Sequence, residues 1–104
     1  TSHPAKEQNM RGIHAYISGR VQGVGFRYSC HQEALKYQLS GSVRNLDDGR
    51  VEVWAAGDSE LMARFITWLG RGPRWAQVTD VELRELSEIQ TELLRRQGEF
   101  KYGN

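Results

Sequence analysis

The sequence has one cysteine, almost no net charge and no long apolar run, and each shortage excludes a class of protein. The lone Cys30 has no partner for a disulfide within the chain, which suits a reducing compartment such as the cytoplasm. The formal net charge is only +1, so no overall field attracts nucleic acid or a membrane surface. No apolar run approaches the roughly 20 residues of a membrane helix, and we expect no secretory leader. The composition predicts a soluble cytoplasmic protein.

The length of 104 residues fits one domain. Residues 1–10, TSHPAKEQNM, are polar and lack periodicity, so we expect a loose tail or cloning remnant there. The remaining residues, 11–104, are predicted to form a single domain. Neither a repeat nor a linker divides that stretch. We expect the protein to be a monomer.

The spacing of apolar residues predicts strand, helix, strand, strand, helix, strand and a short last strand. The strands are predicted at residues 12–18, 42–46, 50–56, 76–86 and 99–102, and the helices at 26–39 and from about 59 to 69. Alternation in the first strand predicts one buried face, formed by Ile13, Ala15 and Ile17. Helical spacing predicts an apolar stripe on the first helix, formed by Phe26, Cys30, Ala34 and Leu35 with Leu39 at its end. The alternation slips between Val78 and Val81, which predicts a bulge or a twist. Residues 87–97 are ambiguous, because Ile89, Leu93 and Leu94 have helical spacing over only a short stretch.

The second and third strands flank Asp47–Gly49, an acidic-glycine turn typical of a hairpin. Each helix can then cross between strands that are not neighbours in sequence. The pattern predicts an α+β fold: a ferredoxin-like βαββαβ sandwich, an antiparallel sheet with two helices on one face and an extra C-terminal strand. The other sheet face, with His14, Tyr16 and Trp54, is predicted to be open.

The stretch SGRVQGVGFRYS places Gly19, Gly23 and Gly25 between a predicted strand and a predicted helix. The first amides of a helix have no partner within the helix, and its dipole favours an anion there. Arg27 in the first turn opposes that dipole unless an anion lies between them, and its planar fork suits two phosphate oxygens. This pattern favours a phosphate or carboxylate cradle, with a plain glycine-rich turn as the alternative.

Three known motifs fit this stretch poorly. A Walker loop needs lysine and then serine or threonine where Phe26 and Arg27 stand, and a dinucleotide fingerprint needs a third glycine where Tyr28 stands. Cys30 lies within the predicted helix and is followed six positions later by Lys36 rather than arginine, so a cysteine-phosphatase mechanism is excluded.

The segments GRVQGVGFR, residues 19–27, and GSVRNLDDGRVEV, residues 41–53, followed by GP and AQVTDVE, closely resemble the acylphosphatase family. The resemblance covers about residues 11–102. It implies the same ferredoxin-like fold and the hydrolysis of small-molecule acyl phosphates, with no metal or cofactor. By position, the family's phosphate-binding arginine falls on Arg27 and its water-positioning asparagine on Asn45. The cradle loop falls on Val21, Gln22, Gly23, Val24, Gly25 and Phe26.

The remaining candidate residues are predicted to have structural roles. We expect His14 on the open sheet face, His31 on a helix surface, Cys30 in the core and Asp47 and Asp48 in the turn. Without a Cys/His/Asp cluster at ligand spacing, no metal site is predicted.

Two alternatives remain. The same fold carries RNA-binding modules that stack bases on sheet aromatics, for which Tyr16, His14 and Trp54 are candidates. Glu52 on that face and the lack of the basic-glycine-aromatic pattern oppose this reading, and we expect no nucleic-acid partner. The second alternative is a regulatory domain that binds acyl or carbamoyl phosphate without turnover. Asn45 favours turnover, since anion binding alone needs no water-positioning amide.

Overall fold

The computed structural model describes residues 9–103, which form five strands and three helices. The strands are β1 (Met10–Arg20), β2 (Ser40–Asn45), β3 (Val51–Asp58), β4 (Gln77–Glu85) and β5 (Phe100–Tyr102). The helices are α1 (Phe26–Lys36), α2 (Ser59–Arg71) and α3 (Glu88–Gln97). None of the described helices is long and apolar enough to cross a membrane.

Strand β1 begins at Met10, one residue inside the predicted tail, and residues 1–8 of that tail lie outside the described chain.

The sheet has the strand order β4-β1-β3-β2-β5. Helix α1 connects β1 to β2 across β3, and α2 connects β3 to β4 across β1, which confirms the ferredoxin-like crossover. The four strands β1 to β4 pair antiparallel, as expected. The short β5 pairs in parallel with β2, so the complete sheet is mixed rather than purely antiparallel.

The core lies between the sheet and the pair of helices α1 and α2. Alternate residues of β1 are completely buried on this face, as their spacing predicted: Ile13, Ala15 and Ile17. The helices contribute Phe26, Cys30, Ala34, Met62, Phe65 and Leu69. Leu35, which the spacing placed on the buried stripe of α1, is instead 48% exposed. The prediction for Leu35 was therefore wrong, and the buried stripe of α1 consists of Phe26, Cys30 and Ala34.

The predicted bulge lies where β1 pairs with β4. Ser18 faces Asp80 but Gly19 faces Val78, so β4 holds one extra residue, Thr79, at this point. Gly19 is required there, because a Cβ atom built on it would lie 2.2 Å from the Gln77 carbonyl oxygen. The first glycine of the loop sequence therefore serves strand pairing.

The sheet face opposite the core is partly covered by α3, which corrects the expectation of an open face. Gly12 faces away from the core, and a Cβ atom built on it would lie 2.3 Å from the Thr91 hydroxyl oxygen of α3. The helix begins with a capping box in which Ser87 accepts from the Gln90 amide and Gln90 accepts from the Ser87 amide. The stretch that was ambiguous in the sequence is thus a helix.

A buried carboxylate organises the part of this face beside α3. Glu52 is only 5% exposed and accepts hydrogen bonds from His14 Nε2 at 2.8 Å and Arg44 Nε at 2.6 Å. Burial raises the pKa of the Glu52 carboxyl, but the hydrogen bonds from His14 and Arg44 outweigh it and leave the pKa below its ordinary value. The carboxylate therefore stays ionised at neutral pH and holds β1, β2 and β3 together.

The Glu52 network predicts a pH-dependent contribution to stability. Since the folded pKa lies below the unfolded value, near 4.3, the stabilisation is complete above that value and disappears as the pH falls through the folded pKa. Glu52→Gln is expected to lower the free energy of unfolding at pH 7 by about 1.5–3 kcal/mol, the scale of a hydrogen bond to a charged group. Urea unfolding of the wild type and the variant at pH 7 and pH 3 measures this difference in the free energy of unfolding.

The matched control is Glu82→Gln on β4, whose ion pair with Arg84 is exposed and is expected to contribute little. An equal loss of stability in Glu52→Gln at pH 3 and pH 7 would show that the carboxylate charge is not what stabilises the network.

Candidate active site

Three strands deliver the predicted site residues to one edge of the sheet. Strands β1 and β2 both run antiparallel to β3, and β5 runs parallel to β2, so the carboxyl ends of β1, β2 and β5 share an edge. The loop of residues 21–25 follows β1, Asn45 ends β2, and Gly103 follows β5. The topology therefore brings together segments that lie up to about 80 residues apart in the chain.

The N-terminus of α1 differs from those of the other two described helices. Helix α2 is capped by Asp58, whose carboxylate accepts from two backbone amides, and α3 is capped by Ser87. Both also carry a glutamate in the first turn. Helix α1 has no side-chain cap and no acidic residue in its first turn, which instead contains Arg27. Its first amides are thus left for an external acceptor, and Arg27 adds positive charge beside them.

The loop before α1 depends on two glycines with left-handed backbone. Gly23 has φ 77° and Gly25, the N-cap of α1, has φ 83°, a region that other residues adopt only with strain. Nothing lies within 4 Å of a Cβ atom built on either glycine. These two glycines are therefore needed for backbone shape and leave open space around the loop.

The loop is fixed to the hairpin by Gln22. Its Nε2 donates to the carbonyl oxygens of Leu46 at 2.7 Å and Arg50 at 2.9 Å, on either side of the turn. Leu46 directly follows Asn45, so one amide side chain sets the loop relative to the end of β2. The sequence named Gln22 as a loop member, but this second role depends on a contact between distant segments.

Arg27 is oriented by the end of the chain. Its Nη1 donates to the Gly103 carbonyl oxygen at 2.9 Å, and its Cζ lies 4.8 Å from the centre of the Tyr102 ring. Gly103 is itself anchored to β2, because its amide donates to the Val43 carbonyl at 2.8 Å. Neither contact of Arg27 could be predicted from the sequence, since nothing local to Arg27 signals a partner 76 residues away.

Asn45 lies on the sheet face that packs against α1 and α2, the same face as Val43 two residues earlier. Within residues 9–103, two buried side-chain atoms have no hydrogen-bond partner: Nε of Arg27 and Oδ1 of Asn45. An unpaired buried polar atom costs about 1–3 kcal/mol. The described chain thus leaves one donor and one acceptor unsatisfied, and they belong to the two residues that the sequence singled out.

The other candidate residues have structural surroundings. Cys30 is fully buried, and burial raises the pKa of its thiol far above the ordinary range. His31 Nε2 lies 3.0 Å from the Phe100 carbonyl oxygen, so this histidine contacts β5 rather than standing alone on the helix surface. Asp48 accepts from the Arg50 amide in the hairpin turn. Residues 9–103 contain no group of three or more His, Cys, Asp and Glu side chains arranged to hold a metal ion.

The aromatic residues considered for RNA binding are already engaged with other side chains. The His14 ring stacks on Trp54 with centres 3.6 Å apart and planes 10° apart, and Arg50 lies over the Tyr16 ring at 4.4 Å. The buried carboxylate of Glu52 lies beside them. A surface that binds RNA by stacking needs free ring faces and positive charge. This arrangement weighs against that alternative.

Comparison with known proteins agrees with this architecture. The model of the acylphosphatase family matches residues 13–100. An acylphosphatase of Pseudomonas aeruginosa is 53% identical over 74 residues, which make up 71% of this chain and 81% of that protein. A solved acylphosphatase structure from Coxiella burnetii has a TM-score of 0.81 at 35% identity and covers 95% of this chain and 97% of its own. One from Bacillus subtilis has a TM-score of 0.76 at 36% identity, covering 88% and 96%.

These matches, together with the fold, place the protein among the hydrolases. The chain belongs to the acylphosphatase family.

Proposed function

We propose that this protein hydrolyses the carboxyl-phosphate bond of acyl phosphates, giving a carboxylate and inorganic phosphate. In this proposal the amides of residues 21–26 and the guanidinium of Arg27 bind the phosphoryl group, and Asn45 positions the attacking water. The substrate is a small molecule, and the protein acts as a monomer in the cytoplasm.

The unsatisfied pair of atoms carries this proposal. Nε of Arg27 is a donor that a phosphate oxygen would satisfy, and Oδ1 of Asn45 is an acceptor that a water proton would satisfy. An anion site alone would call for donors only. A buried unpaired acceptor in addition to a cationic donor suits a site that holds both an anion and a water.

The chemistry of an acyl phosphate explains why so few residues suffice. The carboxylic acid that leaves has a pKa near that of a glutamate side chain, about 4.3, so it departs as a carboxylate without a proton. No general acid is therefore required. The buried Cys30, with its raised thiol pKa, is likewise not needed as a nucleophile.

In the proposed step the water oxygen attacks phosphorus while the bond from phosphorus to the acyl oxygen breaks. The bonding electron pair leaves with the carboxylate, and a water proton passes to an oxygen of the phosphoryl group. Charge on the peripheral oxygens of a loose transition state is stabilised by the loop amides and Arg27. Asn45 aims the water in line, because its amide can both accept from and donate to neighbouring groups.

Hydrolysis of a simple aromatic acyl phosphate, followed by ultraviolet absorbance with a chelator present, tests the proposal. We expect turnover that resists the chelator, since each role is assigned to a group of the chain itself. Folded protein that binds inorganic phosphate yet shows no turnover would replace the proposal by the alternative of a binding domain. Loss of activity with chelator, restored by a divalent cation, would overturn the assignment of the chemistry to Arg27 and Asn45 alone.

A further inference from the structure

We infer that Tyr102 is a positioning residue, which holds the guanidinium of Arg27 in the orientation that receives phosphate. The inference rests on the proposed function, since it assumes that Arg27 binds the phosphoryl group. It assigns a role in the reaction to β5, the shortest strand of the sheet, with only three residues.

Arg27 is restrained from two directions by adjacent residues. The Gly103 carbonyl accepts from Nη1 at 2.9 Å, along one edge of the guanidinium, and the Tyr102 ring lies at 4.8 Å from Cζ. A ring at that distance attracts the cation through its π-face. With Nη1 occupied by a carbonyl, the edge that carries the unpartnered Nε remains for an oxyanion.

Tyr102 can act in this way because it is itself held in place. Its backbone pairs with Val43 of β2, two residues before Asn45. Its ring stacks on His31 at 5.6 Å with an interplanar angle of 25°, and His31 in turn lies 3.0 Å from the Phe100 carbonyl oxygen. His31 follows Arg27 by one helical turn, so the two side chains of α1 contact the same ring.

A long arginine side chain that nothing restrains samples many rotamers, and ordering it on binding reduces affinity. Tyr102 and Gly103 restrict that sampling before phosphate arrives. The same restraint matters more in the transition state, where the charge on the peripheral oxygens must meet donors already in position. Loss of the ring is therefore expected to weaken phosphate binding and to lower kcat as well.

The test is a double-mutant cycle on the full chain with Tyr102→Leu and Arg27→Ala. The measured quantities are the dissociation constant for inorganic phosphate by calorimetric titration, kcat and KM for an aromatic acyl phosphate, and the melting temperature. Tyr102→Phe keeps the ring face, so its phosphate dissociation constant, kcat and KM should equal those of the wild type. Lys101→Leu changes the neighbouring exposed residue of the same strand and controls for general disturbance of β5.

We expect Tyr102→Leu to raise the phosphate dissociation constant about fivefold, on the scale of one cation–π contact. In the Arg27→Ala background the same change should have no effect, because the residue it positions is gone. The inference would be overturned if Tyr102→Leu also raised the phosphate dissociation constant fivefold in the Arg27→Ala background. It would equally be overturned if Tyr102→Phe raised the dissociation constant as much as Tyr102→Leu does. Unchanged binding and turnover in a folded Tyr102→Leu would overturn it too.

The failure of the inference is distinguishable from failure of the proposed function. If Arg27→Ala weakens phosphate binding while Tyr102→Leu does not, only the positioning role is wrong. If Arg27→Ala leaves phosphate binding unchanged, the assignment of Arg27 itself is wrong, and the role of Tyr102 falls with it.

Discussion

Replacing Asn45 by alanine is expected to lower kcat by about two to three powers of ten, the effect of losing one preorganised polar group in an active site. The dissociation constant for inorganic phosphate should change little, because the amide is proposed to hold water rather than the phosphoryl group. The unpartnered Oδ1 also predicts that removing the amide costs the fold little, since no hydrogen bond within residues 9–103 is lost there. Steady-state kinetics and phosphate titration separate the two effects.

Arg44→Ala is the matched control for this experiment. Arg44 is the neighbouring residue of β2 but points to the opposite sheet face, where it binds Glu52. It should reduce stability, because it removes one of the hydrogen bonds to the buried Glu52 carboxylate, and leave kcat unchanged. Full turnover in Asn45→Ala would show that the water-positioning role is assigned to the wrong residue, whereas equal loss in both variants would indicate a general disturbance of β2.

Arg27→Ala is expected to weaken phosphate binding by at least tenfold and to lower kcat/KM by about three powers of ten. Charge-assisted hydrogen bonds contribute about 1.5–3 kcal/mol each, and Arg27 is proposed to act in both the ground state and the transition state. For Arg27→Lys, the phosphate affinity and kcat/KM should lie between those of the alanine variant and the wild type. Lysine keeps the positive charge but lacks the planar fork, so it cannot bind the Gly103 carbonyl and two phosphate oxygens at once.

Arg20→Ala is the control for charge alone. Arg20 is an exposed residue at the end of β1, just before the loop, so its removal changes the net charge equally without touching the proposed contacts. If phosphate binding weakened as much in Arg20→Ala as in Arg27→Ala, the effect would come from the local field rather than from a directed guanidinium. Phosphate titration at two salt concentrations measures this difference directly.

Much of the fold could be predicted from the sequence because the relevant signals are local. The alternation of β1 identified its buried face, the acidic-glycine turn identified the β2–β3 hairpin, and a slip in the alternation of β4 located the bulge opposite Gly19. The loop and Arg27 of the candidate site were predicted from the same kind of local signal, whereas Asn45 was named only through the family resemblance. The loop and Arg27 are contiguous, and the pattern of glycines before a helix has a direct meaning in backbone geometry.

Helix α3 shows where local signals fail. Of the three apolar residues that suggested a helix there, Ile89 and Leu93 are 73% and 61% exposed, Leu94 is half-buried, and the buried residue of the helix is Thr91. Hydrophobic spacing therefore marks the buried face of this helix only through Leu94. What fixes this helix is its capping box and the absence of a side chain on Gly12, against which Thr91 packs. That contact joins residues at opposite ends of the chain.

The sequence by itself determined the order of the five strands and of helices α1 and α2, the buried face of β1 and the glycine-rich loop before α1, because each depends on residues close together in the chain. Only the tertiary structure decided the parallel pairing of β5, the covering of the second sheet face by α3 and the orientation of Arg27. These depend on contacts between residues far apart in the chain, such as Arg27 with Gly103 and Gln22 with the hairpin. A strand of three residues is too short for its sequence pattern to predict which strand it pairs with. The position of β5 depends on hydrogen bonding to the free backbone groups of β2, and β2 is available there only once the rest of the sheet has formed.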